Sequence, residues 1–480
     1  MAEQSTRRGS TLAQGYYLRT EPVVMPQIEV ETTRATIGCV IPAYNEGETI
    51  GAVLDSLLGQ TVVPDVVHVV VNNTTDHTVE VASHFAGPHL REINGRVHET
   101  EVFVHDIGEN PDKKVGALNY GFEMVRGMDY FLGVDGDTTA EPDAVEHLLE
   151  EIESDRRIGG ISAIYSIDDT DLTSWTSKFL IAGQRQQFAT FNMQNLLRGR
   201  QMAVLGGQFS IFRMTSLYEV TVDNHQGTPW VRDSEIEDSL LSLQIRSAGY
   251  LTKISATARA NVGGMPTFAA LDAQQVKWNA GAIDLMWPGQ RGDTKGQPFH
   301  PNLRLRWFEM MSMVLNMYTR LTFVSLVICS LLISAWVFNP LWLVPPLIST
   351  ALNLRVARSM TDRGPRDTLF ALLWLPSEAY IWTRMGHFVR AWTKFAFTSE
   401  NDNWAAQARA ESGQGKSAFL APFGAALVLI ATMVIVFLQL PEGVQPQFLY
   451  VNWTVLAIVT ILQSAWLFLK CVRRYRGFKV

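Results

Sequence analysis

The chain has 480 residues, a net charge of −7 and a mean hydropathy of +0.05, which is unusual for a soluble protein. The net negative charge gives the protein no overall positive potential that would attract nucleic acid. Three cysteines are too few for a disulfide framework or a cysteine metal cluster. Charged and apolar residues are mixed up to about residue 300, and long uncharged stretches follow. We therefore expect at least two units, the second of them in lipid.

The first 35 residues are polar and lack the apolar core of a secretory signal. They carry four arginines, Arg7, Arg8, Arg19 and Arg34. This composition predicts a flexible or surface-lying leader over residues 1–35. The scarcity of cysteine indicates that the catalytic part is cytoplasmic.

Strands and helices alternate in the next hundred residues. Apolar periodicity predicts, in chain order, the elements 36–42 (strand), 50–58 (helix), 66–71 (strand), 78–85 (helix), 101–105 (strand), 115–125 (helix) and 130–134 (strand). Such alternation predicts a mainly parallel α/β sheet, in which ligands bind beyond the carboxyl ends of the strands. Polar clusters at 44–46, 72–76 and 135–137 follow three of these strands.

The segment 172–200 is rich in glutamine and aromatic residues and is too polar to span a bilayer. Its pattern predicts amphipathic helices. Two interpretations remain open, an element on the acceptor side or at the membrane interface, and a surface helix packed on the sheet.

Residues 301–480 form the predicted membrane region, with about four spans. The four uncharged stretches are 321–338, 339–354, 417–440 and 443–469. The second is marginal and contains Pro345 and Pro346. A further stretch, 368–382, is interrupted by Pro376 and Glu378, which favours a re-entrant or interfacial helix. The basic residues between the spans place the connecting loops in the cytoplasm.

Asp135-Gly136-Asp137 follows the predicted strand 130–134. Two carboxylates on one side of a strand end are suitable ligands for a Mg²⁺ or Mn²⁺ ion that also binds a diphosphate. A solvated turn explains the local pattern equally simply. The apolar strand in front of it and the polar clusters at neighbouring strand ends favour the metal site.

Glu237 and Asp238 precede an apolar helical pattern that begins at Leu240. Acidic residues in this position are often simple helix-terminal residues stabilised by the macrodipole. In a functional interpretation, Asp238 accepts a proton from an attacking hydroxyl.

The stretch 274–278 presents an amide, a cation and an indole within about one and a half helical turns. Trp278 is able to stack on the apolar face of a sugar, and Lys277 to neutralise a leaving diphosphate. An amphipathic membrane-surface helix with a snorkelling lysine is the alternative.

Five motifs in one order resemble the family-2 glycosyltransferases, more narrowly the membrane-integrated branch that includes cellulose, chitin and hyaluronan synthases. They are Val40 to Glu46, Lys114 to Asn119, Asp135-Gly136-Asp137, Glu237-Asp238 and Gln274-x-x-Lys277-Trp278. The resemblance covers residues 36–290 by motif and the membrane region only in general layout.

The resemblance implies a Rossmann-like GT-A domain over residues 36–300, a nucleotide-sugar donor, usually UDP-linked, and inversion at the anomeric carbon. By motif match, the donor site would comprise Pro42, Tyr44, Glu46, Asn73, Lys114 and Asp135. The metal ligands would be Asp135 and Asp137, and the catalytic base would be Asp238. The acceptor and diphosphate site would comprise Glu237, Gln274, Lys277, Trp278 and, in a looser match, Gly207.

Two positions depart from the family pattern. Asn72-Asn73 stands where an aspartate pair is common, so the contact with a uracil base would come from an amide. Lys277 replaces the usual arginine and lacks its bidentate fork. The first departure weakens the identification of the nucleotide base as uracil, and the second weakens the inference of a long processive product.

Three functions remain open. The first is a polysaccharide or glycan synthase whose product passes through its own helices. The second is a transferase that acts once on a lipid-linked or protein acceptor. The third, a non-catalytic nucleotide-sensing module, has no chemical need for Asp135, Asp137 and Asp238 together.

Overall fold

The computed structural model describes residues 34–93, 95–168, 172–232, 234, 236–288, 300–335, 340–397, 407, 409–410, 420–474 and 477–480. The leader predicted over 1–35 lies outside the described residues except for its last two. Thr36–Val480 forms one unit, and all contacts below lie within it.

A nine-stranded sheet forms the centre of the first domain. Its strands are β1 (Ile37–Ala43), β2 (Val66–Val71), β3 (Gly87–Ile93), β4 (Arg96–Asp106), β5 (Tyr130–Val134), β6 (Thr139–Ala140), β7 (Ile158–Ile167), β8 (Phe209–Arg213) and β9 (Leu251–Val262). The spatial order is β3-β4-β2-β1-β5-β8-β7-β9-β6. β1 and β5 are buried along their whole length, as expected for central strands covered by helices on both faces.

The sheet is mixed. β4, β2, β1 and β5 are parallel to one another, as the alternating pattern predicts. β8 runs antiparallel to both β5 and β7, and β3 pairs antiparallel with β4 through a hairpin that the sequence interpretation did not include. β8 therefore brings the loop before Phe209 to the carboxyl end of β5, beside Asp135, whose N–H donates to the Gln208 carbonyl over 3.1 Å.

Eight helices accompany the sheet in the described chain. They are α1 (Ile50–Leu58), α2 (Thr78–Ser83), α3 (Lys113–Met124), α4 (Ala144–Glu153), α5 (Trp175–Leu197), α6 (Met214–Asp223), α7 (Glu237–Ser247) and α8 (Phe268–Met286). The three predicted helices within the first 125 residues correspond to α1, α2 and α3. Each begins after a strand end, so the polar loops lie along one edge of the sheet.

Helix α5 occupies most of the segment predicted to be amphipathic. Ser174 caps it, because the Ser174 hydroxyl accepts the Ser177 N–H over 2.9 Å. Arg185, in the middle of α5, is buried and donates from Nε to Asp367 Oδ1 over 2.9 Å and from Nη1 to Asp362 Oδ2 over 2.9 Å. This paired charge joins the sheet domain to the C-terminal helices.

Six further helices follow in the described chain. They are α9 (Arg304–Leu332), α10 (Val344–Ser359), α11 (Pro365–Leu372), α12 (Trp374–Phe397), α13 (Ala421–Leu438) and α14 (Gln445–Arg474). Three helical stretches are long and apolar enough to cross a membrane: Pro301–Leu332, Ala421–Leu438 and Gln445–Trp466. α10, which covers most of the marginal stretch, has 16 residues. The number of spans stays a prediction.

The stretch 368–382 is divided between two helices. α11 ends at Leu372 and α12 begins at Trp374, with Leu373 in an extended conformation between them. Pro376 lies in the first turn of α12, where a missing N–H costs no helical hydrogen bond. Glu378 accepts from Arg320 Nη2 of α9 over 2.9 Å. The interfacial assignment stays a prediction, although Trp374 and Leu375 at this break are exposed.

Candidate active site

The loops at the carboxyl ends of β1, β2 and β5 open onto one large cavity of about 2520 Å³. Every residue assigned by motif lines it except Gly207, which lies behind Asp238. The lining residues from that set are Pro42, Tyr44, Glu46, Asn73, Lys114, Asp135, Asp137, Glu237, Asp238, Gln274, Lys277 and Trp278. The structure thus brings together side chains that are up to 236 positions apart in the chain, counted from Pro42 to Trp278.

Lys114 connects two of the acidic motifs. Its ammonium lies 2.6 Å from Asp135 Oδ1 and 3.7 Å from Glu237 Oε1. Burial opposes the charge, but the attraction of Asp135, Asp238 and Glu237 outweighs it and holds the pKa of Lys114 above its ordinary value. Lys114 is therefore a fixed positive charge between the carboxylates at the ends of β5 and at the start of α7.

Asp238 lies in the first turn of α7. Its Oδ2 accepts the backbone N–H of Gly207 over 2.8 Å, whereas Ile236 occupies the N-cap position and makes no side-chain cap. Burial and the neighbouring Glu237 raise the pKa of Asp238 to about 7, although Lys114 acts in the opposite direction. A carboxylate with a pKa near neutrality and a fixed orientation is suited to accept a proton.

Gly207 is required by a close approach. A Cβ added there would lie 2.9 Å from Asp238 Oδ2 and 2.9 Å from Lys114 Nζ. No larger residue fits unless both side chains shift. The loose motif match at Gly207 therefore has a specific geometric reason: glycine lets this backbone N–H reach the carboxylate without displacing Asp238 or Lys114.

Asp137 is the second carboxylate beyond β5. Burial and the charge of Asp135 raise its pKa to about 6, and the Thr138 hydroxyl donates to Asp137 Oδ1 over 3.2 Å. The described residues contain no cluster of three His, Cys, Asp or Glu side chains that would hold a metal alone. Two carboxylates nevertheless fit Mg²⁺ or Mn²⁺, because such sites usually use one or two carboxylates and take the other oxygens from substrate phosphates and water.

Asn73 has both ends of its side-chain amide in hydrogen bonds. Its Oδ1 accepts the Asn110 N–H over 2.9 Å, and its Nδ2 donates to the Asn110 carbonyl over 2.8 Å. The Asn73 backbone has a φ of 51°, a left-handed conformation that asparagine tolerates better than most residues. The sequence interpretation placed this amide against the nucleotide base, whereas its contacts here organise the loop that precedes α3.

The glutamine, lysine and tryptophan motif lies on α8. Lys277 is buried, and Trp278 lies beside Phe188 of α5 with ring centroids 6.4 Å apart. Tyr380 of α12 donates its hydroxyl to Gln187 Oε1 over 2.8 Å, on the same side of the cavity. α5, α8 and α12 therefore line the cavity together, and the acceptor role of the motif on α8 stays a prediction.

Tyr165 is a site-forming residue that the sequence interpretation missed. Its buried hydroxyl lies 2.5 Å from Ser162 Oγ and donates to the carbonyl oxygens of Gly206, at 3.1 Å, and Phe209, at 3.2 Å. Burial raises the pKa of Tyr165 to about 12, so the phenol stays protonated. It holds the loop that carries Gly207. Its position in an apolar strand offers no sequence signal for this role.

A mixed α/β sheet with acidic loops at the carboxyl ends of its strands, and with helices lining the same cleft, is the arrangement expected of a GT-A domain. The family model described as "Glycosyl transferase family 2" matches residues 39–221. Residues 39–221 therefore match a family-2 glycosyltransferase domain. The motif resemblance to this family is confirmed.

Curated relatives include "Poly-beta-1,6-N-acetyl-D-glucosamine synthase" of Staphylococcus aureus (strain COL), which is 22% identical over 267 residues. The match covers 54% of this chain and 58% of that protein. A protein of the same name from Staphylococcus epidermidis is 20% identical over 300 residues, which cover 62% of this chain and 64% of that protein. The chain thus spans less than two thirds of the length of these relatives.

Solved structures with a similar arrangement include "Mannosyltransferase PcManGT from Pyrobaculum calidifontis in complex with GDP-Man and Mn2+". The TM-score is 0.40 at 14% identity, over 91% of this chain and 88% of that chain. "S. aureus TarS 1-349 in complex with UDP" has a TM-score of 0.36 at 12% identity, over 75% and 91% of the respective chains.

Proposed function

We propose that this glycosyltransferase moves a sugar from a nucleotide sugar, UDP-linked in the first instance, to a hydroxyl of a glycan acceptor with inversion. The observation that carries the proposal is the arrangement around Asp238. A carboxylate with a pKa near 7 is fixed by the Gly207 N–H and lies in the same cleft as Lys114 and the Asp135–Asp137 pair.

The donor occupies the strand ends in this proposal. Tyr44, Glu46 and the Asn73 loop border the nucleotide, and Lys114 and Lys277 face the diphosphate. Asp135 and Asp137 would hold Mg²⁺ or Mn²⁺, which supplies positive charge to the leaving diphosphate when it is bound. The two lysines stabilise the same developing negative charge from the protein side.

Transfer is a single displacement. Asp238 accepts the proton of the acceptor hydroxyl while that oxygen attacks the anomeric carbon of the donor. The bond from the anomeric carbon to the diphosphate oxygen breaks, and the nucleoside diphosphate leaves on the opposite face. One displacement inverts the configuration. Trp278 supports the acceptor ring from α8 by stacking.

The acceptor in this proposal is a growing glycan at the membrane. Residues of α9 and α14 also line the cleft that would hold this acceptor, and both helices contain stretches able to cross a bilayer. The catalytic domain then faces the cytoplasm, where nucleotide sugars are made, and export of the product through the helices is compatible with this layout. Because the curated relatives are named as poly-β-1,6-N-acetylglucosamine synthases, UDP-N-acetylglucosamine is the first donor to test.

Purified full-length protein in nanodiscs, with Mn²⁺ and a panel of UDP-sugars and GDP-sugars, tests the proposal. We expect release of nucleoside diphosphate with one donor and a product whose new glycosidic bond has inverted configuration by NMR. Mass spectrometry of the same product gives its length. A retained configuration would contradict the mechanism, and release without a glycan product would show hydrolysis instead of transfer.

A further inference from the structure

Arg384 of α12 is one of the arginines that line the cleft. The face of α12 that lines the cavity carries Ser377, Ile381, Arg384 and Phe388, spaced as one side of a helix requires. Arg384 therefore lines the same cavity as Trp278, from a helix that is separate from the strand ends surrounding the nucleotide in the proposed function.

The electrostatic surroundings of Arg384 differ from those of three other buried or partly buried arginines. Arg185 is paired with Asp362 and Asp367, Arg320 with Glu378, and Arg390 with Asp272. Among the described residues, the Tyr380 phenol, the Glu309 carboxylate and the His387 imidazole interact electrostatically with Arg384, and none of the three makes a hydrogen bond or a short ion pair with it.

Glu309 does not neutralise this part of the cleft. Its Oε2 lies 3.2 Å from Arg306 Nη1, so Glu309 already has a cationic partner. Arg306 and Arg384 then contribute two positive charges against one negative charge. Burial also lowers the pKa of Arg384 from its ordinary value, which shows that its charge is poorly solvated. A partly buried guanidinium of this kind is stabilised by a bound anion.

The helices that line the cavity with Arg384 also contribute large apolar side chains to it. Met310 and Met313 of α9, Phe388 of α12 and Trp466 of α14 line the same cavity. The stretches Pro301–Leu332 and Gln445–Trp466 are among those able to cross a membrane. The cation thus lies where the cleft passes from the sheet domain to helices that would contact lipid.

We propose that Arg384 binds the phosphate of a lipid-linked acceptor whose hydrocarbon chain lies against the apolar walls of α9 and α14. This inference rests on the proposed function and specifies its acceptor. The guanidinium offers up to five N–H donors, and a phosphate on a lipid provides matching oxygens. The sugar attached to that phosphate would extend toward Trp278 and Asp238.

Three synthetic acceptors separate the contributions of anion and lipid. They are N-acetylglucosamine linked to farnesyl through a diphosphate, farnesyl N-acetylglucosaminide without phosphate, and N-acetylglucosamine 1-phosphate without lipid. With wild-type protein in nanodiscs and the active nucleotide sugar, we expect the first acceptor to have the lowest KM. Equal KM values for the first two would overturn the inference, and equal values for the first and third would show that the anion needs no lipid.

The Arg384→Gln variant tests the residue itself. We expect the KM for the diphosphate-linked acceptor to rise about tenfold, as for loss of a charged hydrogen bond, with the donor KM and the kinetics of the neutral acceptor unchanged. Arg384→Lys should recover part of the loss. Arg358→Gln, which removes an exposed arginine of α10 that does not line the cavity, is the matched control. A rise in donor KM instead would assign Arg384 to the diphosphate of the nucleotide sugar and overturn the inference.

Direct binding separates this inference from the proposed function. If no acceptor supports transfer with any donor, the proposed function fails. Binding of fluorescent farnesyl diphosphate-linked N-acetylglucosamine to nucleotide-free protein still decides the inference. Weaker binding to Arg384→Gln, with an unchanged thermal unfolding midpoint, supports it, and equal binding to both proteins contradicts it.

Discussion

The backbone N–H of Gly207 donates to Asp238 Oδ2 over 2.8 Å, and a Cβ at Gly207 would lie 2.9 Å from that same oxygen. The loop before β8 and the first turn of α7 thus approach so closely that a larger residue at position 207 would displace the Asp238 carboxylate. The contact fixes one oxygen of the carboxylate that we propose as the base.

Gly207→Ala should therefore impair transfer more than folding. The atoms that a new Cβ would displace are the ends of two side chains, Asp238 and Lys114, which are able to move at small cost in stability. We expect a loss of about a hundredfold in kcat, because displacement of a catalytic group by about 1 Å has that effect. Steady-state assays and thermal unfolding should be compared with Gly227→Ala, where a Cβ meets nothing within 4 Å. Equal activity of both variants would show that the close approach has no catalytic importance.

The pH dependence of transfer should report the Asp238 carboxylate. Its pKa is raised to about 7, and the base is active only when deprotonated. We expect kcat/KM for the acceptor to fall tenfold per pH unit below about 7 and to level off above that pH.

Glu237→Gln should move this acid limb to lower pH. Burial is the largest cause of the raised Asp238 pKa, and the negative charge of Glu237 is the second. Removal of that charge favours ionisation of Asp238. A pH–rate profile measured between pH 5 and pH 9 checks the shift; an unchanged limb would mean that another group titrates.

Asn73→Asp distinguishes two roles of this side chain. If Asn73 organises the loop, the new carboxylate repels the Asn110 carbonyl to which Nδ2 donates over 2.8 Å. We then expect the KM for the nucleotide sugar to rise about tenfold. If Asn73 contacts the base through its oxygen, the carboxylate should bind uracil at least as well and the KM should stay the same or fall.

Metal removal tests the Asp135–Asp137 pair. We expect EDTA to abolish transfer and added Mn²⁺ or Mg²⁺ to restore it, since two carboxylates and substrate phosphates suffice to hold the ion. Asp137→Asn should raise the Mn²⁺ concentration that gives half-maximal activity by at least about tenfold. Full activity in EDTA would exclude both residues as metal ligands.

The parts of the fold that follow local rules were predictable from the sequence. Strand β1, helix α1 and the loop from Asp135 to Asp137 are determined by apolar periodicity and by turns, both of which are short-range patterns. The order of the motifs also predicted that Asp238 and Trp278 face the same cleft as Asp135.

Contacts between distant segments were not predictable. Tyr165 supports the Gly207 loop through a hydrogen bond to Gly206, which is 41 positions away. The apolar sequence of its strand does not signal that the Tyr165 hydroxyl is buried among the polar groups of Ser162, Gly206, Phe209 and Ser210. Asn73 pairs with Asn110 across 37 positions, a contact that no local pattern signals. Its contact with the nucleotide base stays a prediction. The break at Leu373 depends on packing of α11 and α12, which hydropathy does not report.

In the proposed mechanism Asp238 is the base of the transfer reaction. The most direct measurement compares wild-type protein with Asp238→Asn, using radiolabelled UDP-N-acetylglucosamine, or whichever donor proves active, to follow transfer and calorimetry to follow UDP binding. We expect a loss of transfer of at least about a hundredfold, with the Kd for UDP changed less than threefold. Transfer at the wild-type rate by Asp238→Asn would contradict this mechanism.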